Sequence, residues 1–163
     1  MLTMRRAESG DLATVDDVVQ AAYAQYPARL GVTPMPMTAD YAGLIGAGAV
    51  RVAEREGTVV GVLVLVFHAD HLLIENVAVS PDDQGHGTGT ELLTLAEQEA
   101  VAHGLPEVRL YTHSGMTENL RYYPRRGYVE THRQVEQGFS RVFFSKTLAT
   151  PPVRATGEPG GSG

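Results

Sequence analysis

The chain has 163 residues, 43% of them hydrophobic and 20% charged, as expected of one globular domain with room for a core. It has no cysteine, which excludes disulfides, thiolate metal sites and cysteine nucleophiles together. A net charge of -6 argues against nucleic acid as a partner, and the absence of a long apolar run or of a signal-type start in "MLTMRRAESGD" leads us to expect no membrane span and a cytoplasmic protein.

"LTMRRAE" reads as a first strand, and Leu12, Val15, Val18, Val19, Ala22, Tyr23 and Tyr26 then recur at the spacing of an amphipathic helix. "PARLGVTPMPM", 27–37, carries three prolines and reads as a loop; "ADYAGLIGAGA" is a weaker helix. "VRVAERE" alternates as a half-buried strand does, and "VVGVLVLVF", apolar throughout, fits a strand covered on both faces. "HLLIENVAV" is a further strand, followed by a glycine cluster and by a helix through Leu92, Leu93, Ala96, Ala100 and Val101 that stops at Gly104. "EVRLYTH" is a strand, "TENLRYYPRRG" a short helix, and "YVETHRQVEQGFSRVFFSKTL" two strands joined near Gln137 and Gly138. Residues 72–112 form one βαβ unit, whose strands are expected to be parallel neighbours. The pattern is that of a single α/β or α+β domain over 1–148, with a disordered Pro/Gly-rich tail over 149–163.

The cluster "QGHGTG" stands where strand gives way to helix. The start of a helix has unsatisfied N–H groups and partial positive charge, and glycines let an anion approach the backbone closely. Gly85, Gly87 and Gly89 with Thr88 and Thr90 exceed what a tight turn requires, so a phosphate cradle is the favoured reading. A P-loop requires a lysine after the last glycine, and the only lysine is Lys146. A dinucleotide fingerprint from Gly85 requires Gly or Ala where Thr90 stands, and an acid after the next strand, where His113 stands.

The spacing Gln84-x-x-Gly87-x-Gly89, preceded by Val77-Ala78-Val79-Ser80-Pro81 and followed by Asn119 and Tyr123-Pro-Arg-Arg-Gly127-Tyr128, resembles the GNAT N-acetyltransferase family. That resemblance implies a mixed, mostly antiparallel twisted sheet of about seven strands flanked by about four helices, with a parallel, splayed pair at its centre. It implies acetyl-CoA as co-substrate. The backbone of Val77, Ala78 and Val79 would pair with the pantetheine arm, the stretch Gln84, Gly85, His86, Gly87, Thr88, Gly89 and Thr90 would hold the pyrophosphate, and Asn119 would bond the arm. A homodimer is a common arrangement in such a family.

Acetyl transfer to an amine requires a base for the ammonium and an acid for the departing thiolate. Glu75 interrupts an apolar run, and burial favours the neutral form of a carboxylate, so Glu75 is the leading base; His113 and His68, at strand ends, compete with it. The resemblance makes Tyr123 the acid, or an aromatic that packs on the cofactor, with Tyr122 as alternative donor because Pro124 interrupts the helix. It also places the acceptor between 27–37 and the last hairpin. Tyr26, Met35, Met37 and Tyr41 are candidates for an apolar wall there, Arg29 for an acceptor carboxylate, and His113 for a polar contact. His68-x-x-His71 lacks further ligands, so no metal is expected. The acceptor is expected to be a primary amine on a small molecule, a peptide or a protein. The rival reading is a non-catalytic acyl-CoA sensor on the same fold, against which the presence of both Glu75 and Tyr123 argues.

Overall fold

The computed structural model describes residues 1–149, so the tail expected to be disordered lies, apart from Ala149, outside the described residues. Seven strands form one sheet: β1 (Leu2–Arg6), β2 (Val50–Arg55), β3 (Thr58–Phe67), β4 (Leu72–Val79), β5 (Glu107–His113), β6 (Val129–Glu136) and β7 (Phe139–Thr147). Their order is β1-β2-β3-β4-β5-β7-β6, and every neighbouring pair is antiparallel except β4 and β5. The βαβ unit thus forms the parallel pair at the centre of the sheet.

Five α-helices cover the sheet: α1 (Leu12–Tyr23), α2 (Tyr26–Leu30), α3 (Tyr41–Gly46), α4 (Thr88–Ala102) and α5 (Thr117–Arg125). One more helix forms than the four or so expected, because the stretch that reads as a loop begins with α2. Pro27 sits in the first turn, where its missing N–H is not needed, and Gly31 closes the turn in the left-handed region. A 3-10 turn at Met35–Thr38 follows.

Two apolar layers sandwich the sheet. Val15, Val18 and Val19 of α1, with Tyr41 and Ile45 of α3, pack on Val50, Val52, Val62, Val64 and Ala78. Leu92, Leu93, Ala96 and Ala100 of α4 pack on Leu63, Leu65, Leu72, Ile74, Val108 and Leu110 opposite, joined by Tyr123 and Tyr128. The central strands therefore bury both faces, which explains the unbroken apolar run in β3.

One irregularity in β4 shapes the cleft beside it. Along this strand, Ile74 faces Leu65 and Asn76 faces Val64, so Glu75 has no opposite residue on β3. This bulge reverses the parity of the strand. Leu72 and Ile74 join the α4 layer, Asn76 and Ala78 face α1 and α3, and Val77 and Val79 return to the α4 side. A ladder bond lost at a bulge costs about 1 kcal/mol. Burying Leu72, Ile74 and Leu110 contributes roughly 2 kcal/mol each, so the paired part of the strand holds.

Candidate active site

β4 and β5 pair only from Leu72–Ile74 to Val108–Leu110. Beyond that point β4 stays on β3 and β5 stays on β7, so Glu75–Val79 and Tyr111–His113 part company. The gap opens into a cleft of ≈ 690 Å³ lined by Tyr23, Tyr26, Glu75, Val77, Val79, Tyr111, Asn119 and Tyr123 among others. On its β5 side the backbone of β4 from Glu75 onward has no partner strand among the described residues, which suits an extended polar arm added as a strand.

At one mouth of the cleft lies the glycine loop. Gly85 (φ 86) and Gly87 (φ 81) are left-handed, and a Cβ placed on either would meet no heavy atom within 4 Å, so conformation rather than crowding selects glycine there. Gly87 is the N-cap of α4, whose first N–H groups open onto the loop. Gly89 has a different role. It is helical, and a Cβ there would stand 3.5 Å from the Tyr122 hydroxyl.

The threonines divide as well. Thr90 shares a hydrogen bond of 2.9 Å with the Tyr122 hydroxyl at the edge of the cleft. Thr88 is buried and donates its hydroxyl to Asp83, while Arg55 Nη2 donates to Thr88 at 3.1 Å and Arg55 Nε to Asp83 at 2.8 Å. What Thr88 leaves for an anion is therefore its backbone N–H. Burial alone would raise the Asp83 carboxyl, but the bonds from Thr88 and Arg55 outweigh it and hold the group below its ordinary value. This trio pins the loop to β2, and nothing in the spacing of Arg55 and Asp83 announced it. Gln84 is exposed and reaches back to the Val79 carbonyl at 3.4 Å. His86 points away, its Nδ1 3.0 Å from the Asp83 carbonyl, and does not line the cleft.

α5 starts at Thr117 and supplies the opposite wall. Pro124 falls in its last turn, where Arg126, Gly127 and Tyr128 close the helix on the carbonyls of Tyr123 and Pro124. The helix ends before the proline can redirect it, and Tyr123 stays buried in the cleft, its ring 5.4 Å from Tyr122 and 5.8 Å from Phe144. Among the described residues its hydroxyl has no hydrogen-bond partner, whereas that of Tyr122 is engaged by Thr90. Burial, with Tyr122 and Tyr26 adding to it, pushes the Tyr123 hydroxyl up and keeps it protonated. Asn119 lines the cleft and donates from Nδ2 to Thr112 at 3.0 Å, which leaves its carbonyl oxygen as the group to offer a ligand.

Glu75 occupies the bulge, and Tyr111 donates to its Oε2 at 3.0 Å. Its Oε1 has no partner among the described residues. Beside it Asn76 accepts from the Tyr23 hydroxyl at 2.7 Å and donates to that of Tyr41 at 3.1 Å, which in turn donates to the Pro36 carbonyl at 2.6 Å. This buried chain ties α1, α3 and the 28–40 region to β4 directly behind the candidate base.

The other candidates separate. His113 lines the cleft, but its Nδ1 accepts the Gly115 N–H at 2.9 Å, so the ring proton sits on Nε2 and no free lone pair faces an amine. Burial also pushes its pKa down. His68 stacks on His71 at 4.4 Å in the β3–β4 turn, at the far end of β4 from the cleft. Tyr26, Met35 and Tyr41 line the cleft. Met37 does not; its carbonyl accepts from Gln20 at 2.8 Å. Arg29 also lies outside the lining, held by both oxygens of Glu118 at 2.7 Å and by the Gly115 carbonyl at 2.9 Å, so its fork is closed to an acceptor carboxylate. The arginine that does line the cleft is Arg141.

A parallel pair that splays beside a glycine loop at a helix start, with the Tyr123 hydroxyl and the Glu75 carboxylate lining one cleft, fits the fold expected of an acyl-CoA-dependent transferase. Residues 15–128 match the family model described as "Acetyltransferase (GNAT) family", and the chain belongs to that family. It is 35% identical over 88 residues to the aminoalkylphosphonate N-acetyltransferase of Salmonella typhimurium, covering 50% of this chain and 57% of that protein. It is 30% identical over 154 residues to a mycothiol acetyltransferase of Nocardia farcinica, covering 93% of this chain and 47% of the relative. The chain thus spans about half the length of these curated relatives. Among solved structures it superposes on the PaiA N-acetyltransferase of Thermoplasma acidophilum in complex with coenzyme A with a TM-score of 0.76, over 91% of this chain and 99% of the other, at 18% identity. That likeness speaks to the fold.

Proposed function

We propose that the protein transfers an acetyl group from acetyl-CoA to the nitrogen of a primary amine, by direct attack within a ternary complex. The observation that carries this reading is the convergence, in one cleft, of unpaired β4 backbone, the Gly85–Gly87 loop, a protonated Tyr123 and a carboxylate with one free oxygen. The backbone of Val77 and Val79 and the carbonyl of Asn119 would hold the pantetheine arm, and the loop with the start of α4 would hold the pyrophosphate. When bound, acetyl-CoA supplies an acyl group already activated as a thioester.

The chain's own groups manage the protons. An alkylamine arrives as an ammonium ion, and Glu75 Oε1 accepts its proton while Tyr111 fixes Oε2. Tyr123, kept protonated by burial, donates to the departing thiolate, and the second proton that the nitrogen gives up on becoming an amide restores its hydroxyl, so the net release per turnover is the one proton first taken from the ammonium. His113 has no free lone pair for the base role and His68 stands at the wrong end of β4. Both facts favour Glu75.

The test is to incubate the protein with acetyl-CoA and a panel of amines while following free thiol, with acylated products identified by mass spectrometry. Amine-dependent thiol release is expected. Tight coenzyme A binding without release for any amine would favour the sensor reading instead. Tyr123→Phe is expected to lower turnover by roughly tenfold or more, with coenzyme A affinity retained; full turnover in that variant removes Tyr123 as the acid. Among the described residues no helix is long and apolar enough to cross a membrane.

A further inference from the structure

The acceptor half of the cleft holds two side chains of opposite charge joined through a single residue. The Tyr111 hydroxyl donates to Glu75, and the ring of the same tyrosine lies beneath the Arg141 guanidinium, whose Cζ is 4.6 Å from the ring centroid. Phe139 packs on that guanidinium from another side at 5.5 Å. Arg141 lines the cleft with its side chain only 16% exposed. Among the described residues it has one strong acceptor: Nη1 donates to Glu136 at 2.7 Å, while Nη2 meets the Met35 thioether at 2.9 Å. A thioether is a weak acceptor. Glu136 lies toward solvent, 39% exposed, and also accepts from Gln134 at 2.6 Å. Glu136 engages only Nη1, unlike the two-pronged hold of Glu118 on Arg29, so the guanidinium keeps capacity for an incoming oxyanion, which its planar fork suits.

Building on the acetyltransferase reading, we propose that the acceptor is a zwitterion: a primary amine whose molecule also carries a carboxylate or phosphonate, the amine meeting Glu75 and the oxyanion meeting Arg141. Tyr111 sets the spacing of the two anchors, because its hydroxyl holds one and its ring supports the other. Tyr23, Tyr26 and Met35 form the apolar wall along which the connecting chain lies. A polyamine brings a second cation to Arg141 and is repelled. A plain monoamine leaves the guanidinium unanswered.

The experiment measures binding to the coenzyme A-loaded protein by calorimetry, with amines in matched pairs: phenylalanine against phenethylamine, and aminoethylphosphonate against ethylamine. At least one oxyanion-bearing member is expected to bind tenfold or more tightly than its partner, a factor of about 1.4 kcal/mol, and the pair that shows it tells carboxylate from phosphonate. Arg141→Gln is expected to collapse that preference, Arg141→Lys to keep part of it, and Glu136→Gln, which removes the competing carboxylate, to widen it. Retained coenzyme A affinity serves as the check on folding in each variant. Equal affinities within both pairs, or a preference that survives Arg141→Gln, would overturn the proposal. Thiol release is read in parallel: a preference in binding without release sinks the transfer reading and leaves the anion site standing, whereas release with the plain amines alone sinks the zwitterion.

Discussion

The proposed cofactor half and the proposed acceptor half of the cleft are encoded in different ways. The first is nearly contiguous in the chain: the bulge, the splayed end of β4, the glycine loop and the start of α4 all fall within 75–90, with α5 added. The second is collected from Tyr23 and Tyr26, from Met35, from Tyr111 and from Phe139 and Arg141, segments brought together only by the order of the sheet. A local unit can be read as a motif, because its geometry follows from turn chemistry and helix ends. A dispersed one can be rebuilt residue by residue while the cofactor half stays the same.

If the halves are separable, variants in each should move different quantities. The largest effect is expected for Glu75→Gln, which sits at the border. Its turnover should fall on the order of 10²–10⁴-fold with coenzyme A affinity unchanged, and a loss of less than about tenfold would return the base role to another group. Next comes Asp83→Asn, behind the loop. Leaving Thr88 and Arg55 without their carboxylate should cost about 1–3 kcal/mol, read as a lower urea midpoint, and should weaken coenzyme A binding without altering acceptor KM.

The Asp83 carboxyl also sets a pH slope. Its folded pKa lies below the unfolded value of about 3.9, so its stabilisation is present above that pH and is lost as pH falls through the folded value. The asparagine variant should lack this slope. Gly87→Ala should cost about 1 kcal/mol because alanine tolerates φ 81 poorly, and should raise the KM for acetyl-CoA alone. The smallest effect belongs to the acceptor side. Burial lowers the pKa of His113, so the unfolded chain takes up its proton first as pH drops below about 6.5, and stability should decline from there toward the folded value. His113→Gln should flatten that part of the profile and leave coenzyme A affinity alone; an altered affinity would couple the two halves.

Most of the fold was legible because strands and the long helix α4 carry clear periodicities, and their buried faces follow directly. α2 was not, since three prolines over 27–37 outweigh a single favourable placement of Pro27 in a first turn. The bulge at Glu75 was hidden too, because β4 carries apolar residues on both faces and Glu75 reads as a break in composition, not in register. On the site, the spacing from Gln84 to Gly89 and the Tyr123 pattern pointed to the family, whose model matches residues 15–128. The roles of the two arginines could not be read. Arg29 stands in α2, within a stretch expected to border the acceptor, yet Glu118, 89 positions away in the chain, closes its fork. Arg141 lies in an ordinary edge hairpin and reaches the cleft because β7 pairs with β5.

By itself the sequence determined the glycine loop, the strand and helix that flank it, and the family to which they belong, because helix N-termini and left-handed glycines act within a few residues of one another. Only the tertiary structure decided which carboxylate, among the described residues, has a free oxygen, which histidine has no free lone pair, which threonine faces inward and which arginine lines the cleft. Those are properties of partners far apart in the chain. Sheet order and one bulge bring them together, and neither is written in any local pattern.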